Sequence, residues 1–283
     1  MTLPPAAGAR CNQIVPGTFS FAAFAASPAY KELNRSFVGR VMKGKRITSV
    51  VDIGCEAGAV SGLIAEHLPE RATLIGIDPS ATAFKDWKKS LQRFDQLETR
   101  FVRGSAEEVS RLVTEPVDAV FFCNALHLVQ DKVHVVGEIS KSLKPGGLFA
   151  FNSAFFQGAE LEDTLPFYRA WMFKALRRLR QKHKLSPQRE KVPARMGLTP
   201  DEYRQILEEA GFTVSELQVV VVDLPLDTCR ALTQFEGFIQ GVLPGVPLEI
   251  GLEVLDETIG ETFEALNMTV LPRNWLLAVA VKN

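Results

Sequence analysis

Between residues 47 and 154, short β-branched runs alternate with amphipathic helical windows, a pattern that calls for βαβ units on a parallel sheet and restricts the fold more than any other feature of the chain. Five strands are predicted there: Ile47 to Ile53, Thr73 to Ile77, Thr99 to Arg103, Val117 to Cys123 and Leu148 to Ala154. The last follows the turn Lys144-Pro145-Gly146-Gly147. The alternation lapses after Ala154. It resumes at Thr199-Pro200-Asp201-Glu202, where an N-cap threonine, a proline at the first helical position and a glutamate three residues on predict a helix that ends at Gly211. Two further strands, Phe212 to Val222 and Trp275 to Val281, are separated by about fifty residues, far more than a hairpin loop needs. Within that insertion Leu248, Leu252, Leu255, Ile259, Phe263 and Leu266 fall on one helical face, and Glu249, Glu253, Asp256, Glu257, Glu261 and Glu264 lie opposite.

A length of 283 residues fits one elaborated α/β domain or two small ones, and 46% hydrophobic with 23% charged residues can bury a large core. Lys and Arg number 32 against 33 Asp and Glu, so no global charge favours nucleic acid as a partner. No apolar run reaches the roughly 18 residues of a membrane span. Cys11, Cys55, Cys123 and Cys229 are too widely spaced for a zinc or redox motif and read as reduced thiols of a cytoplasmic protein. No carboxylate and histidine cluster has metal-ligand spacing, and His67, His134 and His183 stand without evident partners, so no metal is expected. Neither a G-x-S-x-G elbow nor a P-loop is present, which removes the nucleophile and the phosphate cradle of common hydrolases and kinases.

The first strand runs into Asp52-Ile53-Gly54-Cys55-Glu56-Ala57-Gly58, and a helical window opens directly afterwards. Glycines there let backbone approach a ligand closely, and the helix amino end offers unpaired N–H groups. A dinucleotide G-x-G-x-x-G pattern counted from Gly54 needs glycine at positions 56 and 59, where Glu56 and Ala59 stand, so a nicotinamide cofactor is disfavoured. Asp78 ends the next strand 20 residues beyond Gly58, the usual distance to a carboxylate that grips a ribose.

These residues resemble the first motif of the class I S-adenosylmethionine-dependent methyltransferases, an acidic residue followed by G-x-G-x-G, here Asp52, Gly54 and Gly58. Glu56 replaces the middle glycine, so either the cofactor sits differently or this position does not need a positive φ. The resemblance continues with Asp78-Pro79, with Gly104-Ser105-Ala106-Glu107, where Ser105 takes the place of the residue that meets the adenine amino group, with Asn124-Ala125-Leu126-His127 after the fourth strand, and with Pro145-Gly146-Gly147. It implies a Rossmann-like, doubly wound, mostly parallel seven-stranded sheet with helical lid insertions. The expected divisions are an N-terminal lid segment at 1–45, a core at 46–223 with an insertion at 155–198, a helical lid at 224–273 and the last core strand at 274–283.

The cofactor it implies is S-adenosylmethionine, with S-adenosylhomocysteine as product. The implied contacts are Asp52, Gly54, Cys55, Gly58, Asp78, Pro79, Ser105, Ala106, Glu107, Asn124 and Ala125. For an oxygen or carbon nucleophile a base is needed, and His127, at the carboxyl end of the fourth strand with an unperturbed pKa of about 6.5, is the candidate. Capping or loop ordering is its bland alternative. Tyr30 lies on the segment expected to fold over the cofactor, where it packs or offers a hydroxyl or ring face to the sulfonium. Phe19, Phe21, Phe24, Phe155, Phe156, Phe167, Trp171, Phe173, Phe235 and Phe238 fall in segments outside the sheet, so the expected partner is a small, largely apolar acceptor, or these rings are simply core. A cofactor-binding protein without transferase activity is the alternative from another class. Eight Lys and Arg residues lie between Lys174 and Lys191 against the single acid Glu190. They read as a solvated face, as an anion-attracting patch, or as partners of the acidic helix at 248–266.

Overall fold

The computed structural model of the protein describes residues 19–188 and 197–283. Seven strands form a single sheet in the order β3-β2-β1-β4-β5-β7-β6. Their spans are β1 Ser49–Ile53, β2 Thr73–Asp78, β3 Glu98–Arg103, β4 Val117–Cys123, β5 Leu143–Ser153, β6 Phe212–Pro225 and β7 Val270–Lys282. Strands β1 to β5 are parallel, and β7 pairs antiparallel with both β5 and β6. The order reverses direction between β1 and β4, and in open α/β sheets a crevice forms at such a switch point, outside the strands' carboxyl ends.

Helices cover both faces, which is why β1, β2 and β4 are nearly continuous apolar runs. Alternation still divides them: Val50 faces one core and Val51 the other. On the second face lie α5 (Val109–Leu112), α6 (Lys132–Ser142) and α8 (Pro200–Glu209), through Val109, Val135, Ile139 and Leu207. The first face takes α1 (Ala22–Ala25), α2 (Pro28–Met42), α3 (Ala59–Ala65) and α4 (Ala83–Ser90). Four more helices extend that core: α7 (Leu165–Arg178), α9 (Leu226–Thr233), α10 (Glu236–Val242) and α11 (Leu248–Ala265). The predicted start of α8 forms as a full capping box between Thr199 and Glu202.

Several boundaries differ from expectation, most of them at strand ends. The β6–β7 pair stays in register out to Pro225 opposite Val270, so both strands outrun the predicted 212–222 and 275–281. Strand β5 starts at Leu143 rather than Leu148, because Leu143 still pairs with Val117 before a register shift absorbs the Pro-Gly-Gly turn. Leu266, assigned to the apolar face of the acidic helix, follows its last turn and is exposed.

Candidate active site

The β1–α3 loop turns through three residues with positive φ: Gly54 (67°), Glu56 (40°) and Gly58 (87°). A Cβ on Gly54 would lie 3.2 Å from the Ala125 side chain, and one on Gly58 only 2.2 Å from Ser90 Oγ, so close approach as well as φ selects glycine at both places. Position 56 therefore does take a left-handed conformation, and that half of the sequence alternative falls. Such a conformation costs a non-glycine residue on the order of 1–3 kcal/mol unless its surroundings hold it. Two bonds hold Glu56: its N–H donates to Asp78 Oδ2 (3.0 Å), and its Oε1 accepts from the Phe21 N–H (2.9 Å). Burial, with some help from Asp78, pushes its carboxyl up to about 7.

Asp78 also accepts from the Ser80 N–H at 2.8 Å, so each carboxylate oxygen holds one backbone donor and keeps a lone pair for a ligand hydroxyl. Asp52 is fully buried and accepts from Ser61 Oγ (2.5 Å), which in turn accepts from Trp87 Nε1 (2.8 Å). Burial raises Asp52 to about 7, with Asp78 adding to the rise. Burial, reinforced by Asp52 and Asp78, pushes the Cys55 thiol up, so it stays protonated. Ser105, Ala106 and Glu107 enter a short 3-10 turn after β3, with Ala106 buried and Glu107 exposed, while Pro79 is exposed at the end of β2.

Asn124 follows β4 with φ 51°; its Oδ1 accepts from the Ala154 N–H, leaving the buried Nδ2 without a partner. Ala125 is the residue that touches Gly54. Tyr30 is buried beneath Phe21 (5.3 Å between rings, edge-on), next to Phe24 and Trp275. Burial and the nearby Cys123, Asp52 and Glu56 raise its phenol well above the ordinary range. Tyr30 is thus placed beside the loop, although its hydroxyl is not at a surface.

These groups fit a cationic cofactor. Three carboxylates, two of them raised towards neutrality, surround the loop, and a buried amide donor beside them lacks an acceptor. A positively charged ligand with ribose hydroxyls and a carboxylate matches that set, whereas a pyrophosphate at the same loop would meet like charge.

Beyond His127 lies a cavity of about 820 Å³ that also borders Phe155, Trp171, Phe238 and Arg273. His127 Nδ1 is 3.2 Å from Ser153 Oγ, which donates to Phe155 O and accepts from the Phe155 N–H, an arrangement that places the proton on Nδ1 and leaves Nε2 as an acceptor. Burial, reinforced by Lys132 and Arg273, pushes the imidazole down to about 3. The near-neutral pKa on which its selection as a base rested is therefore absent.

Sequence reasoning missed Arg273 and Tyr168. Arg273 interrupts the inward face Leu271, Trp275 and Leu277 of β7, and that broken alternation was the available signal. Its Nε donates to Ala154 O (2.8 Å) and its Nη1 to Tyr168 Oη (2.7 Å). Of the predicted aromatic residues, Phe155, Phe156, Trp171, Phe235 and Phe238 line the cavity. Phe24 and Phe167 pack into the core, and Phe173 is exposed.

The basic segment pairs with the acidic helix. Arg178 reaches Glu257 and Glu261, Lys182 reaches Glu253, and His183, expected to stand alone, meets Glu253 at 3.3 Å. Arg189 and Lys191 lie outside the described residues. Among the described residues no three His, Cys, Asp or Glu side chains converge on a metal-sized site, and no helix is long and apolar enough to cross a membrane.

Residues 51–149 match the family model described as "Methyltransferase domain". The chain is 32% identical over 120 residues to the Saccharomyces cerevisiae protein named "Probable S-adenosylmethionine-dependent methyltransferase CRG1", covering 41% of this chain and 40% of that one. It is 31% identical over 101 residues to the trans-aconitate 2-methyltransferase of Deinococcus radiodurans, covering 36% of each. It therefore spans well under half the length of these relatives. Its fold matches the crystal structure of the YcgJ protein from Bacillus subtilis with a TM-score of 0.57 at 17% identity, over 89% of this chain and 99% of that one. The matched residues, 51–149, make this part of the chain similar to a methyltransferase domain, and they include the β1–α3 loop, Asp78 and His127.

Proposed function

We propose that the protein transfers a methyl group from S-adenosylmethionine to carbon or oxygen of a small organic acceptor with a substantial apolar body. The observation that carries this reading is the aromatic cavity bordered by His127 and Leu128, which follow within three residues of Ala125, the neighbour of Gly54 in the cofactor loop. S-adenosylmethionine supplies an activated methyl group, which the acceptor's nucleophile takes by in-line displacement with S-adenosylhomocysteine leaving. The chain's task is then alignment and exclusion of water.

Asp78 holds the ribose hydroxyls, Asn124 Nδ2 donates to an acceptor atom of the cofactor, Gly54 and Gly58 allow close approach, and Asp52 and Glu56 balance its positive charge. Cys55, Pro79, Ser105, Ala106 and Glu107 complete the walls. Tyr30 supports Phe21, whose N–H holds Glu56 and whose ring meets Phe235 on the cavity wall at 5.3 Å, so one residue covers both compartments. Residues 19–45, 155–188 and 226–269 serve as the lid. His127 orients the acceptor through Nε2 and takes its proton only when the site closes and its surroundings change. The buried thiols of Cys55, Cys123 and Cys229 suit a reducing, cytoplasmic setting.

The test is incubation with methyl-labelled S-adenosylmethionine and cell extract, followed by partition of the label between organic and aqueous phases. Label in the organic phase is the expected result. S-adenosylhomocysteine binding without transfer into either phase, across extracts from several growth conditions, would instead favour a cofactor-binding protein that is not a catalyst.

A further inference from the structure

Arg273 is 9% exposed, sits on an otherwise apolar strand face and has no carboxylate within ion-pair distance among the described residues. What holds it is neutral: the Ala154 carbonyl, the Tyr168 hydroxyl, and the rings of Phe155 and Tyr168 at 5.0 and 5.7 Å from the guanidinium carbon. Dipoles and ring faces offset only part of the cost of taking a full charge out of water, so a buried arginine normally has an anionic partner. Nη2 has no hydrogen-bond partner among the described residues, and Tyr168, which accepts from Nη1, keeps its own hydrogen to donate. Both side chains line the cavity, so these donors belong to one wall of it.

Resting on the methyl-transfer reading of this cavity, we infer that the acceptor carries a carboxylate, bound by Arg273 Nη2 and the Tyr168 hydroxyl. Among the described residues Arg273 is the single Lys or Arg lining the cavity, which matches a planar monoanion and leaves a phosphate dianion half neutralised. Glu160, the one acid on that wall, is exposed and outside ion-pair distance of Arg273. Phe155 touches both His127 and Arg273, its ring centroid 4.6 Å from that of His127 and 5.0 Å from the Arg273 guanidinium carbon. The same cavity also offers Trp171 and Phe238 to an apolar body. The anion also feeds back on the chemistry: Arg273 is one cause of the low His127 pKa, and neutralising it makes the imidazole a better proton acceptor as the acceptor binds.

The probes are 2-naphthylacetate and its neutral isostere 2-naphthylacetamide, titrated calorimetrically into protein saturated with S-adenosylhomocysteine. The acid is expected to bind at least about tenfold more tightly than the amide. Arg273→Gln should remove most of that preference, and Tyr168→Phe, which keeps the ring, should narrow it by several-fold. Equal affinities in the unmutated protein, or no measurable acid binding, would overturn the inference without relying on a variant that may not fold. S-adenosylhomocysteine is titrated separately. Its failure to bind would sink the methyl-transfer reading, while the acid-to-amide ratio measured on the ligand-free protein still judges the Arg273 site.

Discussion

Around Gly54, Glu56 and Gly58 the polar groups come from short stretches of chain joined by one βαβ unit, and almost every donor and acceptor is matched: Asp52 with Ser61, Asp78 with Glu56 and Ser80. The cavity a few residues away along the same sheet edge is assembled from positions 127, 155, 168, 238 and 273, and it retains donors that have no acceptor among the described residues. The first region is pre-organised for a ligand whose chemistry does not vary, so its spacing can be written locally into sequence. The second, proposed to take the acceptor, draws its determinants from five separate segments of the chain. A further contrast is electrostatic: surplus negative charge surrounds the loop, and an unpaired positive charge lines the cavity.

The largest expected consequence concerns that negative charge. Asp52 titrates near 7 in the folded chain and near 3.9 when unfolded. Between these values the native state holds a proton that the unfolded state lacks, so stability contributed here is intact below about pH 4, falls as pH rises, and is fully lost above about pH 7. The whole change is on the order of 4 kcal/mol as an upper figure, since 1 pKa unit corresponds to about 1.4 kcal/mol. Asp52→Asn should flatten the decline in urea midpoint between pH 5 and pH 8, with Glu56 supplying what slope remains. An unchanged slope would mean that Asp52 is not the buried acid described. Adding S-adenosylhomocysteine, whose ammonium group meets the carboxylates, should oppose the decline in the unmutated protein.

Next in size is Asp78→Ala, expected to weaken S-adenosylhomocysteine binding by roughly 1 to 3 kcal/mol, the usual cost of removing a buried hydrogen-bond partner. Because Asp78 also anchors the Glu56 and Ser80 N–H groups, the loss combines ligand contacts with loop order. Calorimetry with Asp78→Asn separates them. If the asparagine variant binds as well as the unmutated protein, the carboxylate charge is not what holds the ribose.

The same contrast explains what the sequence disclosed. The sheet was legible because its strands are apolar runs set between helical windows, and the loop was legible because glycine spacing is a local property. Arg273 was not, since the strand predicted from the sequence begins at Trp275 and its inward alternation stops short of position 273. The His127 position was readable, but its low pKa was not, because its burial and Arg273 come from distant parts of the chain, with only Lys132 close by in sequence. Glu56 was visible as a departure from the glycine pattern, and only folding revealed that Phe21 and Asp78 hold it in a left-handed turn.

The smallest predicted effect tests whether the cavity's outer wall depends on charge at all. Arg178 on α7 bridges Glu257 and Glu261 on α11, and Lys174 Nζ donates to the Glu261 backbone carbonyl, so two basic side chains tie together two helices that already share a core through Phe167, Trp171, Leu255 and Phe263. Arg178 is about one-third exposed, and ion pairs of that kind contribute roughly 0.2 to 1 kcal/mol and are screened by salt. Burial of the aromatic residues should dominate instead, because Trp171 packs against Phe238 at 6.0 Å with nearly parallel rings and donates to Leu255 O. Arg178→Ala should therefore lower the urea midpoint slightly at low ionic strength and not at all in about 0.5 M salt, leaving the acid-to-amide preference of the cavity unchanged. A loss of that preference would instead couple the ion pairs to Arg273, and would make the pairing of the two charged segments part of acceptor recognition rather than of wall stability.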